Sequence, residues 1–344
     1  MTLKKLDRLN RYKQAVEQDE SDIDAWMNLG DVYYDEDDYN RALECYEKAS
    51  QLNPYSSEIW NNIGLIHSYR RDNDKAIKSY QKAIDLDPDD SIAYYNMGFS
   101  YEDKDDSENA INCYKKALEI DPAYTDAFNN IALIYRNNNL HDKAIEYYKK
   151  ALKIDPDNYL VIRNLAILYC DKKEYQNAID LYKLALELNP NNAAIWNSIG
   201  NVYYDLDDFK EAIRCYKTSL EHYPYNIEAW NGLGLSYTFY GKYEKSIESY
   251  KEGLKLNPDD DILFDNIGFS YSKMKMYDRA IKNYKIALEL NPDNFTVLKS
   301  LGIVYQSIND KKNAISFYKK ALEIEPDDFD ILNNIKTIKK LKSS

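Results

Sequence analysis

The chain has only three histidines, and they are far apart: His67, His141 and His222 are separated by 74 and 81 residues. A site built on converging imidazoles has little to draw on, and no HExxH occurs. Four cysteines, Cys45, Cys113, Cys170 and Cys215, are spaced 68, 57 and 45 residues apart with no CxxC pair. That spacing excludes a zinc knuckle or a thiol-exchange motif and reads as free thiols filling small buried volumes. Nowhere do about 18 consecutive apolar residues suggest a membrane span. The N-terminal run MTLKKLDRLNRYKQ has no apolar core for a signal peptide, so a cytoplasmic location is expected. Basic residues are in deficit, 45 Lys and Arg against 58 Asp and Glu, for a formal charge of −13. A nucleic-acid backbone or an anionic lipid surface is therefore a poor partner. Glycine and proline are sparse as well, 10 and 9 in 344 residues, while 44% of the chain is hydrophobic; the composition is that of a folded protein, not of a low-complexity one.

The nine prolines fall at one phase: Pro54, Pro88, Pro122, Pro156, Pro190, Pro224, Pro258, Pro292 and Pro326, each 34 residues after the last. Counted with this proline as the thirty-second position, nine gapless repeats occupy residues 23–328. Each holds two apolar patterns of helical period. The first is Trp26, Leu29, Gly30 and Tyr33, or Trp230, Leu233, Gly234 and Tyr237. The second is Ala42, Tyr46 and Ala49, or Ala280, Tyr284 and Ala287. Both sets share one helix face, so each repeat is read as two short helices ended by the proline. The eighth position is Gly30, Gly64, Gly98, Gly200, Gly234, Gly268 or Gly302, with Ala132 and Ala166 in the remaining two repeats. A small residue there lets large side chains interlock from the neighbouring helix. Tyrosine occurs 34 times and fills the twenty-fourth position throughout, so core packing accounts for most aromatics.

The order W-x2-L-G-x2-Y, then A-x3-[FY]-x2-A, then P, in units of 34, resembles the tetratricopeptide repeat. The resemblance implies an all-α, right-handed superhelical solenoid of helix-turn-helix repeats whose first helices line a concave groove, and a binding scaffold rather than an enzyme. Residues 1–22, with Leu9, Tyr12 and Ala15 at the phase of a second helix, are expected to form an N-terminal capping helix. Residues 329–344 begin like a tenth first helix, with Phe329, Leu332 and Ile335, but carry Lys336, Lys339, Lys340 and Lys342. They are expected to form a polar C-terminal cap.

Within the groove the sixth position holds Asn28, Asn62, Asn96, Asn130, Asn164 and Asn266. This ladder resembles the one in the repeat region of the O-linked N-acetylglucosamine transferases, although no catalytic domain accompanies it here. Each amide offers one acceptor and two donors, which suit an extended peptide backbone; the same amides could instead bond across to the neighbouring repeat. Both readings stand at this point. Charges add a polarity: Asp24, Asp31, Asp35, Glu58, Glu102 and Asp103 crowd the first three repeats, and Lys273 and Lys299 lie near the other end. Acidic walls would favour ligands bearing Lys or Arg. The ninth position is apolar in seven repeats, including Leu65, Phe99, Phe269 and Ile303, for which packing or a groove floor are both available.

No catalytic constellation emerges. Gly234 and Gly241-Lys242 do not have phosphate-loop spacing, and Asp35 to Asp38 and Asp103 to Asp106 lack a calcium-loop pattern. The Lys and Asn set of a chaperone-tail carboxylate clamp is missing too: Asn197 precedes Asn201, and Ile303 follows Lys299. Repeat seven, residues 227–260, has Ser246 and Gly253 where alanine is usual, with Gly232 and Gly241 besides, and Ser219 lies just before it. A soft segment near residues 219–253 is expected. The function expected is a non-catalytic, monomeric scaffold with no metal or cofactor, binding extended protein segments in its groove. The alternative is a substrate-recruiting or regulatory subunit of a separately encoded enzyme.

Overall fold

The computed structural model describes residues 3–340; Lys342, expected in the C-terminal cap, lies outside them, as does the Lys340 side chain. Among the described residues there are twenty helices and no strand, an all-α helical-repeat solenoid. The first helices of the nine repeats are Ile23–Tyr34, Ser57–Tyr69, Ser91–Glu102, Thr125–Asn137, Tyr159–Asp171, Ala193–Asp205, Ile227–Phe239, Asp261–Lys273 and Phe295–Ser307. The second helices are Tyr39–Leu52, Asn73–Leu86, Ser107–Ile120, His141–Ile154, Tyr175–Leu188, Phe209–His222, Tyr243–Leu256, Tyr277–Leu290 and Lys311–Ile324. A helix at Leu3–Gln18 precedes them and one at Phe329–Lys340 follows.

Polar residues in the connections between repeats start most of the first helices. Asp22, Ser56, Asp90, Asn226 and Asp260 each accept a hydrogen bond from the backbone N–H three residues on, satisfying a donor the helix leaves open. The acidic runs in the turns do two further jobs. Asp38 and Asp106 cap the second helices. Asp37 and Asp105, one residue earlier, take left-handed backbone at φ 58°, a conformation Asp and Asn tolerate better than most residues. The equivalent residue is left-handed in all nine repeats and is glycine only at Gly241, φ 78°.

The eighth-position glycine is fixed by sterics. A Cβ on Gly98 would stand 2.7 Å from Tyr114 Cε1, and one on Gly200 would stand 2.8 Å from Tyr216 Cε1. The tyrosine ring therefore packs flat on the helix backbone, which lets the two helices of a repeat close up. All four tryptophans brace the connection between repeats: Trp26, Trp60, Trp196 and Trp230 donate Nε1–H to the carbonyl oxygens of Glu20, Pro54, Pro190 and Pro224 at 2.9–3.0 Å.

The chain divides into two compact units, residues 1–168 and 169–344, with the division inside the helix Tyr159–Asp171. In the first unit, buried clusters run from Val16 through Ile66, from Ala76 through Cys113 and from Ala110 through Ile134. In the second they run from Ala212 through Tyr237, from Ile247 through Ile267 and from Ala280 through Ile338. Within each unit, first helices of successive repeats also touch one another, as Ser57–Tyr69 does Ser91–Glu102 and Ala193–Asp205 does Ile227–Phe239. Their shared face is thus the inner side of that unit's curve.

Both ends pack onto their neighbours. Leu9, Tyr12, Ala15 and the buried Val16 lie against the first repeat. At the other end the stripe expected at Phe329, Leu332 and Ile335 is corrected: Ile331, Ile335 and Ile338 are buried, while Phe329 is 79% exposed. These are the third, seventh and tenth positions, the phase at which every first helix meets its core. Lys336 and Lys339 point to solvent.

Repeat seven needs two corrections. Gly241 is not a helix-weakening glycine; it occupies the left-handed turn, where it removes strain. The serines that replace alanine are hydrogen-bonded. Ser219 Oγ donates to the Ala193 carbonyl at 2.8 Å, and Ser246 Oγ lies 2.8 Å from Ser270 Oγ in a buried cluster with Thr238.

Candidate functional site

The inner face is built from the fifth, sixth, ninth and twelfth positions of the first helices together with the twenty-fourth-position hydroxyls. Four of the six ladder asparagines bond to the repeat before them. The Nδ2 groups of Asn96, Asn164 and Asn266 donate to Oδ1 of Asn61, Asn129 and Asn231, each at 3.0 Å. Asn130 donates to the Tyr95 hydroxyl at 3.1 Å. Every one of these bonds spans 35 residues, so a sixth-position amide meets the fifth position of the preceding first helix. Asn28 instead donates to the Asp24 carbonyl of its own helix at 2.6 Å. For Asn62 the equivalent acceptor position is Met27, which offers only a thioether. Gly232 leaves the sixth-position rung without a side chain; a Cβ there would stand 2.8 Å from the Tyr216 hydroxyl.

Two of the six groove carboxylates accept from tyrosine. Tyr46 donates to Asp31 at 2.7 Å and Tyr114 to Glu102 at 2.9 Å. Burial raises the Glu102 pKa above the usual carboxylate range, and the Tyr114 hydrogen bond partly offsets it. Asp35 pairs with Arg8 at 3.4 Å. Asp24 and Glu58 line a shallow 420 Å3 pocket between the first helices of repeats one and two. Asp103 lines a larger one, described below. At the far end Lys273 sits over the Phe269 ring at 4.9 Å. Lys299 is paired with Asp328 at 2.8 Å and Asp330 at 3.3 Å, so the C-terminal end carries less free positive charge than its lysines suggest. Asp265, at a fifth position, was not singled out from sequence. Burial, with Asp261 nearby, pushes its carboxyl up to about 6.

The largest inner-face pocket described, 790 Å3, lies between repeats two and three and is lined by Leu65, Tyr69, Tyr80, Tyr95, Asn96, Phe99 and Asp103 among others. Its rim joins an aromatic group in which the Tyr34 hydroxyl donates to that of Tyr69 at 2.9 Å and the Tyr39 and Tyr69 rings stack at 5.1 Å. At the ninth position Phe99, Phe269 and Ile303 are exposed, while Leu65 and Leu133 are half-buried. Helix packing alone does not consume these side chains.

No reactive centre assembles from the groups considered in the sequence. Burial pushes the thiols of Cys45, Cys113 and Cys215 up to about 12, 11 and 11, away from thiolate chemistry. His67 fills a tyrosine position, but its Nδ1 is buried with no hydrogen-bond partner. Burial lowers its pKa. Among the described residues no group of three or more His, Cys, Asp or Glu side chains could hold a metal ion. No described helix is long and apolar enough to cross a membrane.

Residues 124–331 match the family of the cilia and flagella-associated protein 70 C-terminal domain. Residues 12–127 match the cytochrome c-type biogenesis protein H TPR domain. No curated protein matches the chain. Among solved structures, MamA is 30% identical over 43% of this chain and 86% of its own, with a TM-score of 0.41. A tetratricopeptide repeat protein from Parabacteroides merdae ATCC 43184 is 21% identical over 72% of this chain and 98% of its own, with a TM-score of 0.55. The APC/C hetero-tetramer Cut9-Hcn1 is 16% identical over 97% of this chain and 81% of its own, with a TM-score of 0.52. The last two share the solenoid fold.

Proposed function

The chain belongs to the tetratricopeptide-repeat proteins, and on that premise we propose that it is a non-catalytic scaffold holding extended protein segments along the inner face of its first helices. The observation that carries this reading is that ninth-position side chains are exposed in each unit, Phe99 in the first and Phe269 and Ile303 in the second, beside amide rungs. Exposed apolar groups recurring at one structural position mark a contact surface better than scattered ones do. An extended segment supplies apolar side chains to them and backbone amides to the remaining Asn donors and acceptors. The rung bonds between repeats hold the spacing of the sites, so the two readings of the asparagines are compatible. The net charge of −13 directs the surface toward protein segments rather than nucleic acid.

The test is selection of peptides from a random display library on the full chain, followed by affinity measurement on wild type and on Leu65→Glu/Phe99→Glu. The double variant is expected to lose binding of peptides seated in the first unit. A substitution on the outer helices, Lys116→Glu, is expected to leave it unchanged. Selected peptides that bind both variants like wild type would overturn the inner-face reading.

A further inference from the structure

The pocket between repeats two and three brings together two polar groups with unmet hydrogen bonding. In four other repeats the twenty-fourth-position hydroxyl donates to a side-chain oxygen: Tyr46 to Asp31, Tyr114 to Glu102, Tyr216 to Asn201 and Tyr318 to Gln306. Tyr80 has none among the described residues, although its side chain is 1% exposed and lines the pocket. The ninth position of its repeat, where Asp31 and Asn201 act as acceptors, is Leu65. A second group lining the same pocket is also unmet: Asn73 Oδ1 is buried and accepts no hydrogen bond. A buried carbonyl oxygen without a donor is costly, and native structures seldom keep one without a purpose.

These groups describe a ligand. Asn73 Oδ1 can only accept, the Tyr80 hydroxyl can accept, and the Asp103 carboxylate forms no ion pair among the described residues. Leu65 offers an apolar wall, and the half-exposed rings of Phe99 and Tyr69 offer aromatic faces. A long side chain with an apolar stem and a cationic, donor-rich head satisfies every one of them. Resting on the peptide-binding reading above, we propose that this pocket is a subsite for an arginine or lysine side chain of the bound segment. The stem lies along Leu65 and Phe99, and the head donates to Asn73 Oδ1, Tyr80 Oη and Asp103. Arg71, the one cation in the lining, makes an acidic side chain the competing occupant.

The probes are single residues flanked by peptide bonds: Nα-acetyl-arginine methylamide, its uncharged citrulline isostere and the glutamate equivalent. Each is titrated into the full chain labelled at its nine phenylalanine rings, with the Phe99 signal identified by Phe99→Leu. The arginine probe is expected to shift Phe99 saturably, and to bind at least about fivefold more tightly than citrulline. Asp103→Asn should remove that preference, and Tyr80→Phe should weaken the arginine probe by about threefold without loss of helicity. Equal binding of arginine and citrulline, stronger binding of glutamate, no response at Phe99, or an arginine preference that survives Asp103→Asn would each overturn the subsite. If display-selected peptides still depend on Leu65 and Phe99 in that case, the groove stands and only the subsite falls.

Discussion

Asn164 Nδ2 donates to Asn129 Oδ1 at 3.0 Å, and both side chains are buried, at 5% and 3% exposure. A side-chain bond between first helices 35 residues apart sets the distance between two repeats directly. Removing either partner leaves a buried amide atom of the other, Asn164 Nδ2 or Asn129 Oδ1, without this bond, so Asn129→Ala and Asn164→Ala should each lower stability by about 1–2 kcal/mol. The double variant should cost less than the sum of the two. Chemical denaturation of the three variants checks this, and strictly additive losses would show that the bond has no energetic weight.

The tyrosine hydroxyls should separate sharply. Tyr114 donates to Glu102 and accepts from Asn130 at 3.3 Å, so Tyr114→Phe takes the donor from Glu102 and one of two acceptors from Asn130 and should destabilise by about 1–2 kcal/mol. Tyr80→Phe deletes a hydroxyl that has no partner among the described residues and should be neutral or stabilising. Thermal unfolding of the two variants side by side gives the comparison.

Asp265 makes stability depend on pH in the direction opposite to ordinary acid denaturation. Burial pushes its carboxyl up to about 6 in the folded chain, above the unfolded value of about 3.9. The folded state therefore holds the proton more tightly. That contribution is complete below about pH 4 and is lost as the pH rises through about 6. Asp265→Asn should raise stability at pH 7 by about 1–3 kcal/mol and flatten the dependence between those values. No gain at pH 7 would mean that the carboxylate is solvated in the folded chain.

The turn position gives a paired prediction. Gly241→Ala meets no atom within 4 Å but must hold φ near 78°, so a loss of about 1 kcal/mol reports backbone strain alone. Lys275, left-handed at φ 59° in repeat eight, should gain a comparable amount on substitution by glycine. Denaturation midpoints of both variants test the pair.

The repeat length, the two helices and the glycine slot were legible because proline, glycine and tyrosine recur at one phase, and each has a local steric meaning. What stayed hidden depends on pairs of positions in different repeats. Asn96 looks like a free rung until Asn61, 35 residues back, is seen to accept from it. Asp265 reads as one more surface acid in a chain with 58 of them, because its burial depends on the neighbouring first helices. The softness expected of repeat seven came from counting glycines, and composition could not show that Gly241 lies in a turn or that Ser246 bonds Ser270. Tyr80 carried no such signal, since an apolar ninth position like Leu65 recurs in seven repeats.

The central claim is that ligand lies on the first helices. A photoreactive residue at the centre of a display-selected peptide, cross-linked to the full chain and mapped by mass spectrometry, places it directly. Cross-links within Ser57–Tyr69 and Ser91–Glu102 are predicted. Cross-links confined to second helices that do not line the pocket, such as Ser107–Ile120 and His141–Ile154, would contradict this placement.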